Sequence, residues 1–309
     1  MRAMSSRPDA PAAPAATPAS PPLFVRAMPV LFVLLWSTGF IGAKFGLPYA
    51  EPFTFLFIRF AAVLVLLAPL AVAARGGWTG WRAAGHQLVT GALVHGVYLG
   101  GVFWAIEQGL SAGVAALVVG VQPLLTAVAV GPLLGERVTG RQWLGLVLGL
   151  GGVGMVVGEK LVGTGVGALD PVALVGAVLA LLGITAGTLY QKRFGGGIDL
   201  RLGTFIQYVA AAAVVGVAAL AVETRAVQWT GEFVFALGWL VVVLSLGAIS
   251  LLMMLIRRGE AARTASLFYL VPPVTAVTAW GLFGETLGPV ALVGMGVAVA
   301  GVALVVSRR

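Results

Sequence analysis

The sequence has no cysteine. Disulfides, thiolate metal sites and cysteine nucleophiles are therefore excluded. Charge is scarce as well: Asp, Glu, Lys and Arg make up 10% of the 309 residues, against roughly 25% in an ordinary soluble domain. His86 and His95 are the two histidines, and they stand nine positions apart. That spacing does not make the one-turn pair of a zinc helix, and no His-Glu-x-x-His occurs. No Gly-x-x-x-x-Gly-Lys-Ser/Thr is present, so this chain carries no P-loop to couple ATP. No long apolar stretch contains Asp, which argues against an intramembrane aspartyl protease with its paired carboxylates. Neither a Ser–His constellation nor an acidic ring or carbonyl filter of an ion channel can be traced. Nothing calls for a cofactor or a metal.

What remains is apolar. Hydrophobic residues make up 60% of the chain and the mean hydropathy is +1.03. Folding cannot hide so much apolar surface from water, because burial is limited by surface-to-volume scaling. A soluble enzyme, a nucleic-acid-binding domain and a secreted disulfide scaffold are all excluded. The expected class is an all-α integral membrane protein. Crossing roughly 30 Å of hydrocarbon takes about 20 helical residues. Ten such stretches are read at 28–47, 53–74, 86–106, 112–131, 141–158, 171–190, 203–222, 233–256, 264–283 and 288–306. Their apolar runs are continuous, not alternating, which excludes a β-barrel. Residues 1–27 are Pro/Ala-rich with no signal-peptide core and read as a disordered tail.

The formal charge of +8 has a positional explanation. With the N-terminus in the cytoplasm, fifteen of the nineteen Lys and Arg residues fall on cytoplasmic segments. The outer loops then keep only Lys160 and Arg225. The positive-inside rule places both termini in the cytoplasm of a bacterial-type inner membrane, and no nucleic-acid partner is needed.

The two halves of the chain resemble each other. At an offset of 149, Pro123 matches Pro272, Thr126-Ala127-Val128 matches Thr275-Ala276-Val277, and Gly135-Glu136 matches Gly284-Glu285. Gly145 matches Gly294, and Gly152-Val153 matches Gly301-Val302. Nearer the start of each half the offset is 148: Gly39, Lys44 and Phe57 match Gly187, Lys192 and Phe205. Five spans per half is an odd number, so a tandem duplication must invert. The expectation is two inverted five-helix repeats, 28–158 and 171–306, around a central cavity, the arrangement of many secondary transporters.

Particular residues then resemble a known family. They are Leu34-Leu35-Trp36-Ser37-Thr38-Gly39-Phe40 in the first span, and Pro52-Phe53 with Arg59-Phe60 in the second. Gln122-Pro123-Leu124-Leu125-Thr126 leads to Gly135-Glu136 in the fourth, and Phe283-Gly284-Glu285 closes the ninth before a Gly-rich tenth. In this order they resemble the EamA-type family of the drug/metabolite transporter superfamily. The resemblance covers about residues 28 to 306. It implies a ten-helix secondary carrier of small organic solutes, often an exporter of amino acids or related metabolites.

Ionisable and polar residues inside a membrane are functional hypotheses by default. Arg59 lies about two turns inside the second span, where its guanidinium either grips a substrate carboxylate, snorkels to the outer interface or pairs with Glu51 or Glu107. Gln207 is its repeat partner. Trp36, Phe40 and Lys44 share a helix face, and Trp36 sits near midspan rather than in an interfacial belt, which makes it a candidate cavity wall. His95 with Tyr98 is near the middle of the third span; it either titrates, making protons a candidate co-substrate, or is a neutral hydrogen-bonding group. Gln122 precedes Pro123, and Tyr269 precedes Pro272-Pro273. These paired helix breaks are expected to line the path. The candidate substrate-binding residues are thus Trp36, Phe40, Arg59, His95, Tyr98, Gln122, Gln207 and Tyr269. Glu136 and Glu285 are expected to cap short connections. Gly145-x-x-x-Gly149 and Gly154-x-x-x-Gly158 have helix-packing spacing, consistent with a monomer or a weak homodimer. The expected function is alternating-access export of an amino acid or similar metabolite; a multidrug efflux carrier is the nearest alternative, and a non-transporting receptor or membrane enzyme the remote one.

Overall fold

The structure is a computed structural model. It describes residues 23–74, 77–110, 115, 118–164, 170–259, 261–283 and 288–307, less the side chains of 26, 40, 41, 43, 44, 160–164, 279, 282 and 283. Residues 1–22 of the expected tail, Glu285 and the Phe40 side chain lie outside the described residues.

Among the described residues the regular structure is helical, with a single antiparallel bridge between Ala50 and Val227. We label the helices α1 (Leu23–Gly46), α2 (Pro52–Ala73), α3 (Trp81–Glu107), α4 (Gln122–Leu134), α5 (Gly140–Thr164), α6 (Pro171–Phe194), α7 (Leu200–Val222), α8 (Gly231–Arg258), α9 (261–283) and α10 (Pro289–Val306). Their starts follow local chemistry. Pro52, Pro171 and Pro289 occupy first-turn positions whose missing N–H costs nothing. Asp170, Asp199 and Thr230 accept an N–H from the first turns of α6, α7 and α8. Gly135 ends α4 at φ +71°, a left-handed conformation that glycine adopts without a Cβ penalty.

Among the described residues seven helices are long and apolar enough to cross a membrane: α2, α3, α5, α6, α7, α8 and α10. The apolar stretches Ala27–Gly39 and Gln122–Leu134 are shorter. Seven of the ten expected spans are therefore met in full. The outward faces carry large apolar side chains such as Val65, Val217 and Leu220, each about 70% exposed, as a lipid-facing surface requires. Trp78, Trp81, Trp229 and Trp280 are exposed too, whereas Trp36 is buried.

Small residues set the closest approaches. α5 and α10 run antiparallel with Gly145 against Gly301 and Gly152 against Gly294. α3 meets α6 at Gly101 and Gly176, and Gly183 and Gly187 admit the 93–98 segment. The second expected glycine pair behaves differently: Gly154 and Gly158 face open space, because they lie off the side of α5 that meets α10. α2 packs on α7, and α1 packs on α8 and α9. Glu136 caps the start of α9 by accepting from Ala261 N at 3.1 Å, as its position suggested.

Two carboxylates clamp the α1–α2 connection to the α7–α8 connection. Glu223 accepts from Phe53 N and Thr54 N at 2.6 and 2.7 Å, and Glu51 accepts from the Thr224 hydroxyl and Arg225 N, both at 2.8 Å. The Thr224 hydroxyl is the main reason that the Glu51 carboxyl lies below its usual range. A carboxyl depressed in the folded state adds stability at neutral pH, and that stability is lost as pH falls through the folded value. The melting temperature in detergent should therefore drop between about pH 5 and pH 3 in the native protein and drop less in Glu51→Gln. Equal drops would remove Glu51 from the clamp.

Candidate functional site

The α3 and α8 helices are not regular. Ala92–Val97 and Leu240–Ala248 are π-helical, and their first residues stand 148 positions apart, the repeat offset. π-Segments widen a helix by one residue per turn and recur at functional sites. Here one carries His95 and the other Ser245.

These segments bring the side chains of three of the candidate residues into a buried polar layer. Arg59 is 4% exposed and donates from Nε to Ser245 Oγ at 3.0 Å. Its guanidinium also lies 5.9 Å from the Phe60 ring, a weak cation–π contact. Among the described residues no carboxylate pairs with Arg59. Glu51 is engaged at the clamp, so the expected alternative of a Glu51 ion pair does not form. His95 is fully buried and stacks on Tyr208, with centroids 4.8 Å apart and planes 5° apart. The Tyr208 hydroxyl donates to the Ser245 carbonyl at 3.3 Å. Gln207 donates from Nε2 to Gln87 Oε1 at 2.6 Å and adjoins the His95 ring. Neither imidazole nitrogen finds a hydrogen-bond partner with acceptable geometry.

Trp36 and Tyr98 form a second group. Both are buried, and their rings lie nearly parallel at 6.5 Å. Phe268 meets Trp36 edge-on at 5.3 Å. With Val102, Val153 and Pro272 they line a largely apolar cavity of about 30 Å³ between α1, α3, α5 and α9. That volume holds a water or two, so helices must part before an organic solute can enter.

Gln122 and Tyr269 join neither group. Gln122 reaches Thr126 only at 3.5 Å, and its Oε1 has no partner. Tyr269 is buried against Gly149 with an unpartnered hydroxyl. The helix breaks beside them do form. Pro123 opens α4, and the Leu267–Leu270 3₁₀ turn precedes Pro272 in α9. Val119, Gly120, Val271 and Pro272 at these breaks touch the cavity.

The sequence reading passed over Ser245, Tyr208 and Gln87. Tyr208 occupies the repeat position of Phe60 at the 148 offset, which is a signal that was there to find. Ser245 is one hydroxyl in an apolar helix, and only the fold sets it against Arg59.

The EamA-like transporter family model matches residues 26–158 and again 171–307. The chain belongs to this family. It is 29% identical over 289 residues to the uncharacterized inner membrane transporter YedA of Escherichia coli K12, covering 92% of this chain and 90% of that one. It is 26% identical over 293 residues to the uncharacterized transporter YvbV of Bacillus subtilis, covering 88% of each. A solved crystal structure matches 90% of this chain and 95% of its own with a TM-score of 0.76 at 19% identity, which shows the fold. The chain is thus a multi-pass membrane transporter of a small molecule and not an enzyme.

Proposed function

We propose that the chain is a secondary carrier that exports an amino acid or a similar carboxylate-bearing metabolite by alternating access. The observation that carries this reading is Arg59: a cation sealed in the membrane-spanning region, held by a neutral serine, with no carboxylate beside it among the described residues. Burying a charge without a partner is costly, and a guanidinium fork matches a carboxylate in two parallel hydrogen bonds. Trp36 and Tyr98 form the cavity wall next in line, His95 and Gln207 border Arg59, and Phe40, Gln122 and Tyr269 contact the solute as the halves move.

The halves are 28–158 and 171–306, ten spans in two inverted repeats with both termini cytoplasmic. Three observations support this. The family model matches twice. The π-segments recur at the repeat offset. Gly145–Gly301 and Gly152–Gly294 are the same contact seen from each half, since Gly145 corresponds to Gly294 and Gly152 to Gly301. Rocking about such a seam opens one face and closes the other.

Flux into proteoliposomes tests the reading. Labelled amino acids and other small carboxylates are offered beside their decarboxylated amine analogues. Saturable flux of the acids alone is the expected result. Equal flux of the amines would remove Arg59 from recognition. The apolar lining of the cavity favours a multidrug carrier as second reading, and saturable flux of lipophilic cations would decide for it.

A further inference from the structure

A second polar feature runs beside the aromatic cavity and is not explained by solute binding there. It begins at the end of α3 that lies near Gly195 and Arg257. There the half-buried His86 Nδ1 lies 2.7 Å from the Tyr190 hydroxyl. One residue on, Gln87 is fully buried and donates to the Gly195 carbonyl at 3.3 Å; Arg257 donates to the same carbonyl. Gln87 accepts from Gln207 at 2.6 Å, and Gln207 also reaches Gln191 at 3.4 Å. Gln207 then adjoins His95. Three glutamines and a histidine, each at most 1% exposed, thus rise between α3, α6 and α7. His86 to His95 is nine residues, about 13 Å along a helix.

The file is not internally satisfied. Gln191 Nε2 is buried without a partner, and Gln207 Oε1 and the His95 ring have at most each other. A network present only to bind helices together would close its own hydrogen bonds, because each orphan polar atom in a low-dielectric interior carries its full desolvation cost. Buried water is the ordinary remedy and takes about three hydrogen bonds from such groups. Gly91 brings α3 directly against the backbone of Gln207, where a Cβ would lie 2.1 Å from its carbonyl oxygen.

We infer that α3, α6 and α7 enclose a file of water molecules from the His86–Tyr190 rim to His95, and that this file, apart from the aromatic cavity, carries protons to and from the His95 imidazole. A proton arriving as hydronium binds the ring nitrogen that lacks one and leaves by the same route, with no other bond made or broken. The groups facing His95 are Arg59 and Phe60 from α2 and Gln207 and Tyr208 from α7. α6 presents Gly183 and Gly187 to the 93–98 segment. Arg59 alone among them carries a fixed charge.

The chain has only two histidines, which makes the test direct and free of any solute. Full-length protein labelled with ¹⁵N-histidine is reconstituted in bilayers, with His86→Asn to assign the two rings, and transferred to D₂O. The expected result is loss of the His95 ring N–H signal within minutes, slowed about tenfold in Gln87→Leu and, as a second variant should that one not fold, in Gln191→Leu. Protection of His95 for a day in the native protein overturns the proposal. So does an exchange rate that the glutamine variants leave unchanged, or one that Trp36→Leu controls instead. The experiment does not use Arg59 or transport, so its failure leaves the carrier reading standing, and failure of the flux test leaves this one standing.

Discussion

Arg59→Gln is expected to abolish carboxylate flux, by about 100-fold or more, while raising the melting temperature of the protein by a few degrees. The two effects have one cause. Arg59 is buried and its partner within the protein is Ser245, a neutral hydroxyl. Holding a guanidinium there costs desolvation energy that no described carboxylate returns. A glutamine keeps a donor for Ser245 and removes the charge, so the empty protein gains stability. The solute carboxylate loses its charged partner. Breaking a buried charge pair costs about 3–5 kcal/mol, and each 1.4 kcal/mol is tenfold. Arg59→Lys is expected to recover little, because an ammonium cannot donate to Ser245 and present two parallel N–H groups at once. Flux and thermal melting of the same preparations check both halves. If flux and stability fall together, Arg59 is a packing residue and the proposed recognition fails.

The second large effect concerns the α5–α10 seam. Gly152→Leu is expected to leave little folded protein. A Cβ at Gly152 would stand 2.4 Å from Ala298 N and 2.6 Å from the Gly294 carbonyl oxygen. Both are backbone atoms, so no side chain can swing aside and the helices must separate. Overpacking ordinarily costs about 1–3 kcal/mol, and prying apart two backbones stands at or above that range, against a total stability of about 5–15 kcal/mol. Gly151 is the control. It is exposed, and a Cβ there meets nothing within 4 Å. Gly151→Leu should match or slightly exceed the native melting temperature, since glycine in a helix interior costs about 1 kcal/mol. Size-exclusion profiles and melting curves of the two variants, side by side, would refute the seam if they coincide.

Class, family and repeat were legible in the sequence because each rests on a signal that survives without coordinates. Apolar runs of bilayer length need no partner to be recognised. The Pro, Thr-Ala-Val and Gly-Glu register repeats in order. Glu136 stands where a short connection needs a cap, and it does cap α9. Trp36 reads as an interior tryptophan by its depth in α1, and it is buried.

Other features were not legible, for definite reasons. Glycine spacing does not say which side of a helix meets a neighbour, so Gly145–Gly149 packs and Gly154–Gly158 does not. Nothing in the local composition of Leu240–Ala248 announces a π-helix; the extra residue per turn is accommodated by packing of α8 against α1 and α2. The candidate residues also looked like one site, and the fold divides them. Arg59, His95 and Gln207 lie in a polar layer between the halves, Trp36 and Tyr98 line a separate aromatic cavity, and Gln122 and Tyr269 stand apart.

By itself the sequence determined that this chain is a helical membrane protein of two similar halves, because hydrophobicity, helix length and repeat register are properties of residues in order. Only the tertiary structure decided that Arg59 faces Ser245 instead of a glutamate, and that Gln87, Gln191 and Gln207 meet beneath His95. Those pairings join residues from 16 to 186 positions apart. They depend on which faces of α2, α3, α6, α7 and α8 turn inward together, and no one-dimensional pattern encodes that.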